Sequence, residues 1–362
     1  MGLNCGIVGL PNVGKSTIFN ALTSAKAASA NYPFCTIDPN KGVVAVPDPR
    51  MEKIAEFIPT KKLIPTSVEF VDIAGLVKGA SQGEGLGNQF LGHIKSVNAI
   101  LHVVRCFEKG DIIHVEGSVH PVRDIEIITT ELILADMETV EKRLTRSEKL
   151  IKTGDKNVLA AVEALKKVRE GLNNGKPVRA LTMTDEEKKH LEDLHLMTGK
   201  PSLYVINVFD IEKDSKYIEQ VIDFAKKDNS HYVIISGDIE SEIAQMEPEE
   251  RKTYYKEMGI DESGLEKLIH ETYRLLGLIT YFTAGPQEIR AWTIPQGTKA
   301  PQAAGVIHTD FERGFICAET YNYNDLVANG SEQKVKEKGL LRLEGKEYVV
   351  KDGDIMHFRF NV

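Results

Sequence analysis

The residues best suited to chemistry lie near the amino end, in the octapeptide GLPNVGKS at residues 9–16. It has the GxxxxGK[ST] pattern, in which glycines let backbone N–H groups surround phosphates, a lysine reaches the β- and γ-phosphates and a hydroxyl binds magnesium. Here these side chains are Lys15 and Ser16. A strand pattern at Cys5–Leu10 precedes the loop and a helical pattern at Lys15–Ala25 follows it, which is the required context. The sequence therefore predicts a site for a polyphosphate with Mg²⁺.

Two further segments supply candidate magnesium ligands and a candidate sensor of the γ-phosphate. The sequence DIAG at residues 72–75 ends a predicted strand, Ser67–Ile73, about 60 residues after the phosphate loop. An acid at this place holds magnesium through water and the glycine amide contacts the γ-phosphate, so we assign these roles to Asp72 and Gly75. Thr36, in a loop between the two motifs, can complete the magnesium coordination. The glycine-rich stretch 79–87 follows, and we expect it to be a mobile switch.

A candidate base-binding segment, Asn207-Val208-Phe209-Asp210, follows the predicted strand Ser202–Val208. Guanine-specific P-loop proteins carry NKxD here, and the acid of that motif accepts hydrogen bonds from guanine N1 and N2. Val208 replaces the lysine that packs along the base, so guanine selection is weakened and the spacing alone leaves the base open. Ser236, after the predicted strand Tyr232–Ile235, completes the candidate nucleotide-binding residues.

The position after the DxxG glycine bears on hydrolysis. Related hydrolases often place a glutamine there to orient the attacking water, and Leu76 cannot do so. We therefore expect slow intrinsic hydrolysis, with the water oriented by another group. His114, in the loop after the predicted strand Ala99–Cys106, is the first titratable side chain to test, although loop histidines are usually only solvated. Asn12, beside the phosphates, is a candidate to hold a potassium ion.

The order of predicted elements indicates an α/β protein whose first part has a mostly parallel sheet. Apolar, β-branched strands alternate with helices, as in sheets covered on both faces. Between residues 106 and 202 this alternation stops. Apolar residues recur there at helical spacing from Ile125 to Leu150 and from Leu159 to Leu172, with a break at Thr153–Asp155. Two amphipathic helices joined by a short turn form an antiparallel hairpin.

The predicted hairpin is basic. Residues 141–180 contain eleven Lys and Arg against five Asp and Glu, inside a chain whose formal net charge is −8. Either these cations form a solvated helix face, or they contact RNA phosphates and release counterions.

The remainder of the sequence limits the class of protein to which this chain can belong. After Tyr281, short apolar segments predict a strand-rich domain of about 80 residues, with strands at Ala291–Ile294, Ala304–Ile307, Phe315–Ala318, Tyr348–Val350 and His357–Phe360. The apolar content of 42% and charged content of 27% indicate a globular chain. The sequence has no apolar run of ~18 residues, no room for a signal peptide and no CxxC pair, so we expect a cytoplasmic protein that binds no membrane.

Together these motifs resemble the YchF subfamily of Obg-like P-loop proteins, in the translation-factor class of GTPases. The resemblance covers essentially the whole chain. It rests on long strings: GLPNVGKST (9–17), NYPFCTIDPN (31–40), FVDIAGLVKGAS (70–81), GEGLGNQFL (83–91), HVVRCF (102–107), TYFTAG (280–285), RAWTI (290–294) and HTDFERGFI (308–316).

The resemblance implies three domains and a set of ligand contacts. A P-loop G-domain would occupy residues 1–120 and 200–277, an inserted helical coiled coil 121–199, and a C-terminal TGS domain of β-grasp type 278–362. Magnesium would be held by Ser16 and Thr36, and adenine would meet Asn207 and Val208. The phosphates would be surrounded by Asn12, Val13, Gly14, Lys15, Ser16 and Thr17.

The function that the resemblance implies is a ribosome-associated, ATP-hydrolysing switch, which we expect to be a monomer. YchF proteins carry a hydrophobic residue where Leu76 stands, and a histidine in the motif around His114 is implicated in hydrolysis. Their TGS domain is expected to contact RNA or the ribosome. One position departs from the family pattern. The family usually has glutamate where Asp210 stands, and aspartate is the residue that guanine-specific proteins use. A GTPase or a dual ATP/GTP hydrolase therefore stays open, as does an RNA- or ribosome-binding module whose nucleotide mainly stabilises the fold.

Overall fold

The computed structural model describes residues 3–24, 40–73, 86–109, 114–258, 260 and 262–361. The chain forms two compact units, one from Met1–Gly42 and Glu69–Thr272 and the other from Val43–Val68 and Tyr273–Val362. The strands of the described part are β1 Asn4–Val8, β2 Lys41–Ala45, β3 Leu63–Ile64, β4 Ser67–Asp72, β5 Ala99–Arg105, β6 Ser202–Asn207, β7 His231–Ile235, β8 Leu278–Ala284, β9 Ile289–Pro295, β10 Phe315–Asn322, β11 Arg342–Glu344 and β12 Asp354–Phe360.

The α-helices of the same part fall between and beside these strands. They are α1 Lys15–Ser24, α2 Arg50–Phe57, α3 Leu86–Ser96, α4 Pro121–Leu150, α5 Lys156–Asn173, α6 Asp185–Lys189, α7 Ser215–Lys227, α8 Gly237–Ala244, α9 Pro248–Glu257, α10 Gly264–Leu275, α11 Ala300–Ile307, α12 Thr309–Arg313, α13 Tyr323–Asn329 and α14 Glu332–Glu337. None of the helices in these described ranges is long and apolar enough to cross a membrane.

The first sheet has the strand order β2-β4-β1-β5-β6-β7. Strand β1 pairs in parallel with β4 on one side and β5 on the other, and the parallel pairing continues through β6 to β7. Every residue of β5 and β6 is buried, as expected for central strands covered on both faces. The predicted α/β fold with a mostly parallel sheet is confirmed. Because the strand order reverses direction at β1, a ligand is expected beyond the carboxyl end of this strand.

The long helices α4 and α5 pack on each other as a hairpin. They are joined by a short 3₁₀ turn at Ile151–Thr153 and by Gly154. Gly154 adopts the left-handed conformation, with φ of 72°. Their shared core is apolar and includes Val140, Leu144, Val162 and Leu165. The helical spacing in the sequence therefore predicted the hairpin correctly.

The second sheet has the order β11-β10-β12-β8-β9-β3, and it includes a segment from early in the chain. Strand β3 pairs with β9, and in α2 the side chains of Met51 and Ile54 enter the same core as Phe282. Arg50 fixes the start of α2 through ion pairs of 2.7 Å to Asp48 and 2.6 Å to Asp352. The predicted boundaries placed residues 43–68 in the first domain, whereas the structure places them in the second unit, because their apolar side chains are buried there.

Two strands predicted for the second unit are wrong. Residues 304–307 belong to helix α11, because Ala300, Ala303 and Ala304 recur at helical spacing and all three are fully buried at 0% exposure. Tyr348–Val350 makes only an isolated bridge, in which Val349 pairs with Lys299. The predicted strands at 291–294, 315–318 and 357–360 lie within β9, β10 and β12.

Candidate functional site

The phosphate loop connects the carboxyl end of β1 to the amino end of α1, at the point where the strand order reverses. Asn12 and Gly14 have left-handed backbones, with φ of 63° and 96°. A Cβ atom at Gly9 would lie 2.7 Å from the Val103 carbonyl oxygen, and one at Gly14 would lie 2.2 Å from the Asn207 amide. Larger residues at these two glycines would therefore displace the loop. A tight loop at a helix amino end is a favourable place for a phosphate.

Lys15 lies inside this loop and is only 7% exposed. Its Nζ donates a 2.7 Å hydrogen bond to the carbonyl oxygen of Leu10. Burial lowers the pKa of Lys15 to about 8, against the opposing effect of the Asp72 carboxylate. A buried ammonium that has lost much of its hydration gains more from an anionic phosphate than an exposed one does.

Ser16 and Asp72 form the candidate magnesium site. The Ser16 hydroxyl donates a 3.1 Å hydrogen bond to Oδ2 of Asp72, and Asp72 pairs across the sheet with Ile7. The other carboxylate oxygen of Asp72, Oδ1, is buried and accepts no hydrogen bond from the described residues. An unsatisfied carboxylate oxygen beside a hydroxyl fits Mg²⁺, which prefers oxygen ligands.

Asn207 joins the phosphate loop to helix α8. It is 4% exposed, its Nδ2 donates a 2.8 Å hydrogen bond to the Val13 carbonyl oxygen, and its Oδ1 accepts a 3.0 Å bond from Gly237 N. The side chain therefore holds together two loops at the carboxyl edge of the sheet. The structure brings Asn207 to the predicted site, where it bonds to the backbone of the phosphate loop and of α8.

Asp210, three residues beyond the end of β6, bonds within its own turn. Its carboxylate accepts hydrogen bonds of 3.1 Å from Glu212 N and 3.2 Å from Lys213 N, and an ion pair of 2.8 Å from Lys213 Nζ. These interactions, first of all the one with the Lys213 side chain, lower the pKa of Asp210. The carboxylate that would read guanine is thus engaged in a turn.

Val208 and Ser236 are the other described residues that were predicted to lie near the base of the nucleotide. Val208 is 2% exposed, so its side chain belongs to the core and does not extend along a base as the missing lysine would. The Ser236 hydroxyl oxygen is buried and has no hydrogen-bond partner in the described part of the chain. This hydroxyl can therefore bond to a ligand at the amino end of α8. Thr17, in the first turn of α1, is half-buried.

His114 is buried, and both of its ring nitrogens make hydrogen bonds. Nδ1 accepts a 3.1 Å bond from Glu116 N, so the ring proton lies on Nε2, which is 2.8 Å from Oδ2 of Asp124. Arg123 Nη2 contacts the other carboxylate oxygen of Asp124 at 2.9 Å. The loop histidine is therefore not merely solvated, and its ring must leave Asp124 before Nε2 can contact a nucleotide.

Comparisons with known proteins agree with this geometry. A family model described as "50S ribosome-binding GTPase" matches residues 4–135, and a YchF-type GTPase C-terminal model, described as a "protein of unknown function", matches residues 278–361. The "Ribosome-binding ATPase YchF" of Bacillus subtilis (strain 168) is 56% identical, with 100% of each chain covered. The protein of the same name from Escherichia coli O157:H7 is 53% identical, again over 100% of both chains.

The chain belongs to the YchF family.

A solved YchF structure has the same fold. The chain titled "Structure of the Schizosaccharomyces pombe YchF GTPase" matches with a TM-score of 0.88 and 39% identity, covering 99% of this chain and 98% of that one. The printed names of these YchF relatives differ in the nucleotide, since the bacterial proteins are called ATPases and the yeast protein a GTPase.

Some YchF site residues lie outside the described part of the chain, and two within it were not predicted. Gly75, Leu76 and Thr36 lie outside the described residues. Gly237 and Asp124 were missed. Each had a sequence signal: Gly237 directly follows Ser236 at a strand end, and Asp124 lies in the first helical turn that begins with a proline, ten residues after the candidate histidine.

Proposed function

We propose that this YchF-family chain is a ribosome-associated molecular switch that binds ATP with Mg²⁺ and hydrolyses it to ADP and phosphate. The observation that supports this proposal is the phosphate loop, in which buried Lys15 lies next to the Ser16–Asp72 oxygen pair. The loop lies where the strand order of the sheet reverses. The ribosome as partner comes from the printed names of relatives that match over their full length. We expect the switch to regulate translation or a stress response.

The phosphates bind, in this proposal, to the loop and the first turn of α1. Backbone N–H groups from Asn12 to Thr17 donate to phosphate oxygens, and Lys15 turns from the Leu10 carbonyl to the β- and γ-phosphates. Ser16, Thr36 and Asp72 hold Mg²⁺, directly or through water. When bound, Mg²⁺ neutralises negative charge on the phosphate groups. Gly75 reports the presence of the γ-phosphate through its amide.

We infer a preference for adenine over guanine. Val208 is buried and offers no ammonium to the base, and the Asp210 carboxylate already accepts three hydrogen bonds from its own turn. A guanine would therefore lose the acceptor that selects it. Asn207 supports adenine binding by fixing Val13 and Gly237, and the buried Ser236 hydroxyl is available to the nucleotide.

Hydrolysis is assigned to His114, with slow intrinsic turnover. Leu76 cannot orient water, whereas an imidazole can once Nε2 is released from Asp124. Potassium held near Asn12 would supply the positive charge that some relatives obtain from an arginine. Equal hydrolysis rates in sodium and potassium buffers would remove the potassium assignment.

The partner contacts are assigned to the basic hairpin and the second unit. We propose that the hairpin, residues 121–199, is a coiled coil that contacts ribosomal RNA, and that residues 278–362 form a TGS domain of β-grasp type. In this proposal the G-domain is the rest of the first unit, residues 1–42, 69–120 and 200–272, and residues 43–68 belong with the second unit. The protein would act as a cytoplasmic monomer.

Ribosome pelleting tests binding and switching together. The purified protein is sedimented with ribosomes in ATP, ADP or a non-hydrolysable ATP analogue, with Lys15→Ala as the variant that loses nucleotide. We expect pelleting to depend on the nucleotide and Lys15→Ala to abolish that dependence. Unchanged pelleting in every nucleotide state and in Lys15→Ala would favour a binding module with a structural nucleotide.

Titration calorimetry with ATP and GTP tests which base the site prefers, and tenfold tighter GTP binding (~1.4 kcal/mol) would overturn the ATP assignment.

A further inference from the structure

A buried histidine–carboxylate pair lies at the same edge of the first sheet as the phosphate loop. Nε2 of His114 is 2.8 Å from Oδ2 of Asp124, and the two residues are only 8% and 3% exposed. The next residue, Ile125, packs in one core with Cys106 and Val208, which directly follow strands β5 and β6. The pair is therefore close to the carboxyl ends of these strands, where the nucleotide is proposed to bind.

In this position both nitrogens of the His114 ring are already engaged. Nδ1 accepts a 3.1 Å hydrogen bond from Glu116 N, and Nε2 donates to Asp124. A turn closed by a 3.0 Å bond from Gly117 N to the His114 carbonyl oxygen places the Glu116 amide beside the ring. A neutral imidazole has one donor and one acceptor, so the ring must lose at least one of these bonds before it can orient a water molecule.

Asp124 is held in place by groups other than the histidine. Its Oδ1 accepts hydrogen bonds from Nε and Nη2 of Arg123, at 3.2 and 2.9 Å. Nη2 of Arg123 also donates to the Ser118 carbonyl oxygen at 2.6 Å. In the backbone, Asp124 N donates to the His120 carbonyl oxygen at 3.1 Å. The carboxylate is thus fixed to the first turn of α4, so the pair opens by movement of the imidazole ring.

The strength of this contact decides how often the ring is free. A hydrogen bond to an ionised acceptor is about twice as strong as one between neutral groups, and burial removes the water that would compete for it. The ring therefore stays on Asp124 in most molecules. Because only a molecule with a released ring can use His114 in hydrolysis, turnover falls in proportion to the released fraction.

We propose that Asp124 is a positioning residue that holds His114 away from the nucleotide and thereby limits the rate of hydrolysis. The inference rests on the proposed ATP hydrolysis and on the role given there to His114. It adds a second cause of slow turnover, separate from the lack of a water-orienting side chain at Leu76. Its sign is opposite to that of a carboxylate that orients a catalytic histidine, because here the acid occupies the nitrogen that the proposed reaction needs.

Turnover in variants at Asp124 tests the inference, since a restraining and an orienting carboxylate predict opposite changes. Asp124→Asn keeps the shape of the side chain but removes its charge, and we expect kcat for ATP to rise about tenfold with unchanged ATP affinity. Asp124→Ala, which removes the acceptor entirely, should raise kcat at least as much. Neither rise should occur in a His114→Ala background. Steady-state phosphate release gives kcat, calorimetry gives the affinity and thermal unfolding checks that each variant is folded.

The matched control is Asp136→Asn, because Asp136 is another buried carboxylate of α4. It is 0% exposed and accepts hydrogen bonds of 2.9 Å from Met197 N and 2.7 Å from Thr198 N. The substitution weakens the attachment of the same helix without changing the contact of the histidine. We therefore expect its kcat to stay within about twofold of wild type.

The pair can also be observed in the wild-type protein, without a substitution at position 124. An imidazole N–H that donates to a buried carboxylate exchanges slowly with water. Its proton should give a nitrogen-edited NMR signal that is missing from the spectrum of His114→Ala. If the wild-type spectrum contains no such signal, the ring is not held by Asp124 and the inference is wrong.

Four results with the variants would overturn the inference. A lower kcat in Asp124→Asn would make Asp124 an orienting carboxylate, and an unchanged kcat would leave the pair with a structural role. An equal rise in Asp136→Asn would assign the effect to a loosened helix, and a rise that persists in the His114→Ala background would assign it to another group. A folded wild-type protein that hydrolyses no ATP would contradict the proposed function itself, and the inference with it.

Discussion

The amide nitrogen of Asn207 donates a 2.8 Å hydrogen bond to the carbonyl oxygen of Val13, a residue 194 positions earlier in the chain. The same side chain accepts from Gly237 N at 3.0 Å. One buried amide therefore sets the distance between the phosphate loop and the amino end of α8. The shape of the nucleotide site depends on this side chain even where it does not touch the nucleotide.

Replacing Asn207 should weaken nucleotide binding by deforming the loop. Asn207→Ala removes two buried hydrogen bonds, worth about 1 kcal/mol each, and we expect affinity for ATP to fall about tenfold or more. Titration calorimetry measures the affinity, with the exposed Asn20→Ala as control. Wild-type affinity in a folded Asn207→Ala protein would contradict the positioning role.

Nucleotide affinity should fall as the pH rises through about 8. The pKa of Lys15 is lowered to about 8 by burial, so a growing fraction of the free protein carries a neutral amine above that pH. A bound triphosphate favours the charged amine and raises this pKa, so binding near pH 8 should take up about half a proton. Calorimetry in buffers of different ionisation enthalpy counts that proton. Equal affinity and no proton uptake at pH 7.5 and 9 would show that Lys15 does not titrate there.

Asp210→Ala should leave the affinities for ATP and GTP within about twofold of wild type. Its carboxylate bonds to Glu212 N, Lys213 N and Lys213 Nζ, so the substitution disturbs a turn and not a contact with the base. Titration with both nucleotides measures the effect. A selective loss of GTP binding would identify Asp210 as a guanine reader and reopen the GTPase alternative.

His114→Ala should lower kcat about a hundredfold and spare the affinity for ATP, since acid–base or water-orienting groups act in the transition state. Steady-state phosphate release gives kcat and calorimetry gives affinity. His93→Ala, at an exposed position of α3, is the matched control. If turnover is unchanged, the buried pair of His114 with Asp124 serves only to fix the start of α4.

Ile54→Ala should destabilise the second unit by about 2–4 kcal/mol, the usual cost of such a cavity. Ile54 is 0% exposed and packs in the core with Phe282, although it lies in the first fifth of the chain. Chemical denaturation measures the change in the free energy of unfolding. Glu52→Ala, exposed on the same helix, should stay within about 0.5 kcal/mol of wild type. A similar small change for Ile54→Ala would contradict the packing.

The phosphate loop and the hairpin could be predicted from the sequence because their signals are local. A loop motif between a strand and a helix, and apolar residues at helical spacing, depend on residues close together in the chain. The segment 43–68 carried no such signal: the pairing of β3 with β9 joins residues more than 220 positions apart. The run at Ala304–Ile307 was misassigned because a short apolar segment fits a strand or a buried helix equally well.

The hydrogen bonds of the site side chains could not be predicted from the sequence either. The motif placed Asn207 and Asp210 near the base, but it did not indicate that the amide bonds two loops or that the carboxylate closes a turn. Only the backbone geometry around each group decides which partner it finds.

The early segment that completes the second sheet limits how this protein can be divided. A cut between residues 272 and 273 would leave Met51, Ile54 and strand β3 on one fragment and Phe282 on the other, so the hydrophobic core of the second unit would be divided between them. Expression of the carboxyl-terminal residues alone should give an insoluble product, whereas a fusion of 43–68 to that fragment should restore solubility. Excision of this region as an independent module thus requires two breaks in the chain and one new junction.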